Sequence, residues 1–167
     1  MQVVVDDTVA IYVTDELPNA ETRYRARFYL DPNSISMADG LDFYIFTGYD
    51  TTSVFQVQLS FSAGNYQVRL RQQNDSNSTT STAYVTISDA PHVIEIEWWA
   101  STAAGANNGG ATLWVDDIQS ASLSGVDNDT RRIEFVRLGA VSGLNAGTLG
   151  TYYLDAFESR RQTYIGP

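Results

Sequence analysis

Glu95 and Glu97 alternate with Ile94, Ile96 and Trp98, and the run ends on Trp99. Carboxylates two residues apart on an extended chain project from one face. That is the raw material of retaining glycoside hydrolysis, which needs an acid and a nucleophile with carboxyl groups ~5–5.5 Å apart. The same residues also suit a surface that binds sugar and does no chemistry. Trp99 offers a flat apolar ring for a pyranose, while Arg25, Arg27, Gln56, Gln58, Arg69, Arg71, Glu95 and Glu97 offer planar donors and acceptors for hydroxyls. A third use is a lattice of ion pairs joining Glu95 and Glu97 to Arg25, Arg27, Arg69 or Arg71, each cross-strand pair contributing about 0.2–1 kcal/mol. Polar sheet faces are ordinary and ligand sites few, so the lattice is weighed ahead of the sugar platform.

Hard oxygen ligands cluster at Asp6-Asp7, Asp116-Asp117 and Asp127-Asn128-Asp129. Carboxylates on turns are the ligand type calcium takes, and Asp127 with Asp129 is the preferred candidate. None of the clusters has the twelve-residue spacing of an EF-hand, and aspartate in a turn commonly serves its own backbone. The single histidine, His92, cannot build a histidine-based metal site alone. The absence of cysteine excludes disulfides and thiolate-bound zinc.

The 167 residues suffice for one domain with a real core, taken as 1–167. A net charge of −10 argues against nucleic acid, which requires a basic surface. No apolar run approaches the ~20 residues that cross a bilayer, so membrane insertion is not expected. Met1 to Val5 has neither the charged region nor the long apolar stretch of a signal peptide. All ten cations are arginine, so lysine, a common guard of exposed sheet edges, is absent.

The elements that must position these groups are strands. Arg23, Arg25 and Arg27 alternate with Tyr24, Ala26 and Phe28; Phe55, Val57 and Leu59 with Gln56 and Gln58; Tyr66, Val68 and Leu70 with Gln67, Arg69 and Arg71. Strict alternation marks half-buried antiparallel strands. About a dozen are expected, near 2–6, 9–14, 22–30, 41–48, 53–61, 65–72, 82–88, 92–100, 111–116, 118–123, 131–138 and 151–160. Ser62 to Asn65 reads as a hairpin turn, Asp31 to Asn33 as a turn, Asn74 to Ser81 as an exposed tip and Gly105 to Gly110 as a loose loop. No helix-period segment of useful length appears. The fold class is all-β, an antiparallel two-sheet jelly-roll β-sandwich. Phe55, Val57, Leu59, Tyr66, Val68, Leu70, Ile94, Ile96 and Trp98 should fill its core, with their neighbours exposed.

The hairpin Phe55–Leu59 and Tyr66–Leu70, the run His92–Trp98, Thr112-Leu113-Trp114-Val115-Asp116-Asp117 and the final Tyr152-Tyr153-Leu154-Asp155-Ala156-Phe157 follow one another in an order that resembles a laminin-G-like domain. That family belongs to the concanavalin A-like lectin/glucanase superfamily, here in the form found in large bacterial surface proteins. The resemblance spans roughly residues 20–162 and raises the expectation of calcium. Glucanases of the superfamily carry Glu-x-Asp-x-x-Glu where this chain has Glu95-Ile96-Glu97; Trp99 and Ala100 stand where the last glutamate is needed, so catalysis is not expected. Asp116-Asp117 replaces the usual Asp-Gly turn. The resemblance implies a non-enzymatic extracellular or cell-surface module for adhesion or carbohydrate recognition, with carbohydrate or neighbouring protein modules as partners. The alternatives are a structural subunit that self-assembles through edge strands, with the chain's two ends as donor segments, and a degenerate glycanase.

Overall fold

The alternating runs become fourteen strands in the computed structural model, which describes residues 1–166. In chain order they are Gln2–Val5 (β1), Ile11–Asp15 (β2), Arg23–Asp31 (β3), Ser36–Met37 (β4), Leu41–Tyr49 (β5), Ser53–Ser62 (β6) and Asn65–Gln73 (β7). Thr79–Ser81 (β8), Val85–Ile87 (β9), His92–Trp99 (β10), Gly109–Val115 (β11), Ile118–Val126 (β12), Phe135–Ser142 (β13) and Thr148–Arg160 (β14) complete them. Two antiparallel seven-stranded sheets result. The first has the order β1-β14-β3-β10-β11-β12, with β4 on β14; the second has the order β2-β13-β5-β6-β7-β8, with β9 on β7. The described residues contain no helix, and the expected all-β sandwich is the fold.

Alternation places the core correctly. All nine expected core residues are buried, Trp98, Ile94 and Ile96 among them. Aromatic rings bridge the sheets: Phe46 of the second sheet meets Phe28 of the first at 5.3 Å and its own neighbour Phe55 at 5.5 Å, while Phe43 meets Tyr152 at 5.7 Å. Fully burying one such side chain stabilises by ~1.5–3 kcal/mol.

The turns follow their residue types. Ala63 and Gly64 both have positive φ, as a two-residue hairpin requires, and so do Asp116 and Asp117. Asp116 is held there by accepting a hydrogen bond from the Val93 N–H at 2.9 Å. Gly109 and Gly110 belong to β11 rather than to a loose loop. Their role is close packing: a Cβ on Gly109 would lie 1.8 Å from Asn128 Oδ1, and one on Gly110 2.4 Å from Trp99 Cζ2. The strand expected at 131–138 begins only at Phe135. Arg131 is instead a buried anchor, donating to the Asn74 carbonyl at 2.8 Å and to Asp50 at 3.1 Å, and this ties its segment into a loop.

The first strand and the last described residues both lie against the first sheet. β1 pairs with β14, Val3 opposite Tyr152, and Tyr164 to Gly166 cross the outer surface of the first sheet. β1 and residues 164–166 are thus seated on the first sheet of their own chain.

Candidate functional site

On β3 the residues Arg23, Arg25, Arg27 and Tyr29 face outward because Tyr24, Ala26, Phe28 and Leu30 fill the core. Opposite them on β10 stand Trp99, Glu97, Glu95 and Val93 in that register. Gln56 and Gln58 on β6 and Arg69 and Arg71 on β7 face outward from the other sheet. The nine expected ligand residues are therefore divided between opposite outer faces, with the core between them. Trp99 cannot share a platform with Arg69, Arg71, Gln56 and Gln58, and Arg69 and Arg71 cannot pair with Glu95 and Glu97. Alternation says which side of its own sheet a residue takes; it does not say which strands share a sheet.

The expected exposure also fails along β10. Glu95 is only 1% exposed and Glu97 5%. They lie on the outer face but are covered. Glu95 Oε1 and Oε2 accept the backbone N–H groups of Ile165 and Gly166 at 3.1 and 3.2 Å. Tyr164 packs on Trp114 at 5.6 Å, and the Arg25 guanidinium lies over both rings at 5.6 and 5.5 Å. Arg25 also reaches Glu97 at 2.6 Å and Glu95 at 3.8 Å. Arg27 stacks on Tyr29 at 5.4 Å. The terminal segment thus straps the middle of the first sheet's outer face.

Beyond the strap, at the Trp99 end, the surface opens into a cleft of about 680 Å³ lined by Arg23, Glu97, Trp99, Ser101, Thr102, Asp129 and Arg132 among others. Each wall has a local cause. The Trp99 indole lies against Gly110, where any side chain would displace it, and its Nε1–H donates to the Asn108 carbonyl at 2.9 Å. The buried Asn128 staples the floor, accepting from the Ser101 N–H at 2.7 Å and donating to the Trp99 carbonyl at 3.2 Å. Asn108 Oδ1 accepts from Ser101 Oγ and the Thr102 N–H at 3.0 and 2.9 Å, which fixes the rim. Arg23 pairs with Glu97 and keeps nearly half of its side chain, 47%, in solvent. Arg132 is held by the carbonyls of Asp129 and Arg131 at 2.7 and 2.6 Å. An aromatic ring with its orientation locked, two guanidinium groups and hydroxyls around it can stack on and hydrogen-bond a polyhydroxylated ring.

Of the expected residues the cleft takes Trp99 and Glu97, with Arg25 behind Glu97. Arg23, Ser101, Thr102 and Arg132 were missed as site residues, although Arg23 heads the same alternating run and lies opposite Trp99. Asp129 lines the cleft, and its carboxylate oxygens come within 4.8 Å of those of Asp127 and Asp75. Partial burial, then the charges of Asp75 and Asp127, raise the Asp129 carboxyl above the ordinary carboxylate range. Three crowded carboxylates suit a hard cation. Asp75 is also a turn partner, accepting from the Thr130 hydroxyl at 2.6 Å.

The outer face of the second sheet is a closed lattice around Gln58. Gln58 donates to Asp42 at 2.9 Å and accepts from Arg69 Nε at 2.5 Å; Tyr84 donates to Asp42 at 2.8 Å and lies under Arg69 at 4.3 Å. Arg71 donates to the Tyr44 hydroxyl, and Gln56 stands opposite Arg71.

No family model matches the sequence, and no curated protein matches it. Solved structures share the fold. The botulinum neurotoxin serotype D binding domain superposes with a TM-score of 0.64 at 9% identity, covering 96% of this chain and 39% of that one. A chain of type C botulinum neurotoxin, whose cell entry is described as dependent upon interaction with two ganglioside molecules, gives 0.60 at 8% identity, covering 87% and 34%. Alginate lyase vAL-1 from Chlorella virus gives 0.60 at 11% identity, covering 85% and 72%. This chain spans less than half the length of the neurotoxin chains. At such identities the likeness is one of fold.

Proposed function

We propose that this chain is a non-enzymatic carbohydrate-binding β-sandwich module, laminin-G-like in type, acting at a cell surface or outside the cell, with glycan held in the Trp99 cleft. The observation that carries the reading is the indole locked on Gly110 beside Arg23, Arg132, Ser101 and Thr102. Relatives in fold add support, since one neurotoxin interacts with gangliosides and another neighbour is an alginate lyase. Absence of catalysis fits Glu95 sealed beneath the strap and Glu97 committed to Arg23 and Arg25. Calcium, if bound, would be held by Asp75, Asp127 and Asp129 and would fix the loops bordering the cleft. The test is a glycan array that includes uronate oligomers, run with the wild type and with Trp99→Ala. Hits lost in the variant support the reading; an empty array, or sugar or alginate cleavage abolished by Glu97→Gln, overturns it.

A second reading, assembly through a sheet edge, is favoured by β2. It pairs with β13 on one side only, exposes Ile11, Tyr12 and Val13, and carries no charge from Thr8 to Thr14. A free uncharged edge is a template for another strand. Light scattering on wild type and Val13→Lys tests it; concentration-independent monomers in both would end it.

A further inference from the structure

At the far end of the same outer face, beyond the strap from Trp99, β3 and β14 form a small checkerboard. Tyr29 stands opposite Asp155, and Asp31 opposite Tyr153. Leu30, Tyr152 and Leu154 fill the core between them, so all four side chains face out. With Pro91 and Ala156 they line a cavity of about 310 Å³. A bulge makes this arrangement possible: the ladder shifts after Asp155, Ala156 takes a φ of 48°, and the Asp155 side chain is turned and tied by the Ala156 N–H at 2.9 Å.

The chemistry of these walls is specific. Tyr29 and Tyr153 keep 37% and 40% of their surface in solvent, so both rings are accessible to a ligand. Asp31 and Asp155 each receive one hydrogen bond from a nearby backbone N–H through Oδ1, and neither is ion-paired among the described residues. The Tyr29 ring already carries one guanidinium, that of Arg27 at 5.4 Å. One positive charge against two carboxylates leaves the pocket net negative. Aromatic faces alternating with unpaired carboxylates form a receptor for an organic cation, whose charge meets the carboxylates while its flat or methylene surface meets the rings.

We propose that the Tyr29–Tyr153–Asp31–Asp155 pocket binds a guanidinium or ammonium group, as presented by an arginine or lysine side chain of a partner peptide. This site is separate from the Trp99 cleft and does not rest on the carbohydrate reading. The strap between them lets one face hold two ligands of different chemistry.

The probes are N-acetyl-arginine amide and N-acetyl-lysine amide, with N-acetyl-citrulline amide as the uncharged shape of arginine. They are titrated into the full chain by NMR, followed at the tyrosine ring signals. Both substituted side chains are exposed, so Asp155→Asn and Tyr153→Ala should fold as the wild type does, and spectra of the free proteins check this. The expected result is saturable binding of a cationic probe, weakened by salt, absent for citrulline, and reduced about threefold by either substitution, the size of one exposed cation–ring or ion-pair contact. Trp99→Ala should leave it unchanged. Citrulline binding as well as arginine, cation binding untouched by both substitutions, or no saturation by either cation would each overturn the proposal.

Discussion

On the outer face of the second sheet Gln58, Arg69, Asp42 and Tyr84 bind one another, whereas on the first sheet Glu97, Arg23 and Trp99 border an open cleft. Both faces use arginine, amide or carboxylate, and aromatic side chains on alternating positions. What separates them is the backbone beside them. On the first sheet Gly110 lets Trp99 lie down on its neighbour strand, Gly109 leaves room for Asn128, and the loop held by Asn108 and Asn128 raises a rim around the ring. On the second, β6 and β7 run as a regular hairpin from Phe55 to Gln72, and the side chains reach only each other. A polar sheet face becomes a candidate receptor where the backbone withdraws and leaves its groups a volume to face.

The largest effect should come from the core the two faces share. Phe46→Ala removes a ring packed on Phe28 and Phe55 and should cost ~3–5 kcal/mol of unfolding free energy, measured by chemical denaturation. A loss confined to one sheet's hydrogen-exchange protection would break the premise of a common support.

The contrast itself is tested by paired substitutions. Trp99→Ala should lower glycan affinity by ~1–3 kcal/mol with a nearly unchanged melting temperature, whereas Gly110→Val, whose side chain would meet the Leu123 carbonyl as well as the ring at 2.4 Å, should lower both affinity and melting temperature. Arg69→Gln and Arg71→Gln on the opposite face should leave binding as it is. Titration calorimetry with any array hit decides, and equal losses from both faces would erase the distinction.

The strap offers a finer test. Glu95→Gln should cost about 1–3 kcal/mol, because a buried carboxylate accepting two N–H groups beside Arg25 is replaced by a group that can satisfy only part of that set. Removal of residues 164–167 should shrink that penalty, and additive losses would show that Glu95 does not hold the strap.

Smallest is the acid cluster. The raised Asp129 carboxyl means that the folded state binds its proton more tightly than the unfolded chain does. Its ionisation therefore lowers stability as pH rises from the ordinary aspartate range through the folded value, and below that range the effect is absent. Asp129→Asn should raise the melting temperature slightly at neutral pH and not at pH 3. A stabilisation independent of pH would place its origin elsewhere.

Alternation by itself determined the strands, their inward faces and the two-sheet class, because period-two burial is a local property of an extended chain. It fixed Ile94, Ile96 and Trp98 inside and singled out Trp99 and Glu97, and turn chemistry placed the Ala63-Gly64 and Asp116-Asp117 hairpins. Sheet membership was decided only in three dimensions. β3 pairs with β10 across sixty intervening residues, and that pairing sets Arg25 beside Glu97 while sending Arg69 and Arg71 to the far side. The cover over Glu95 comes from residues 165 and 166, seventy positions along the chain, and the cleft from Asn108 and Asn128 meeting around Trp99. Such contacts depend on how the sheets twist and where loops return, and nothing in the spacing of neighbours along the chain encodes them.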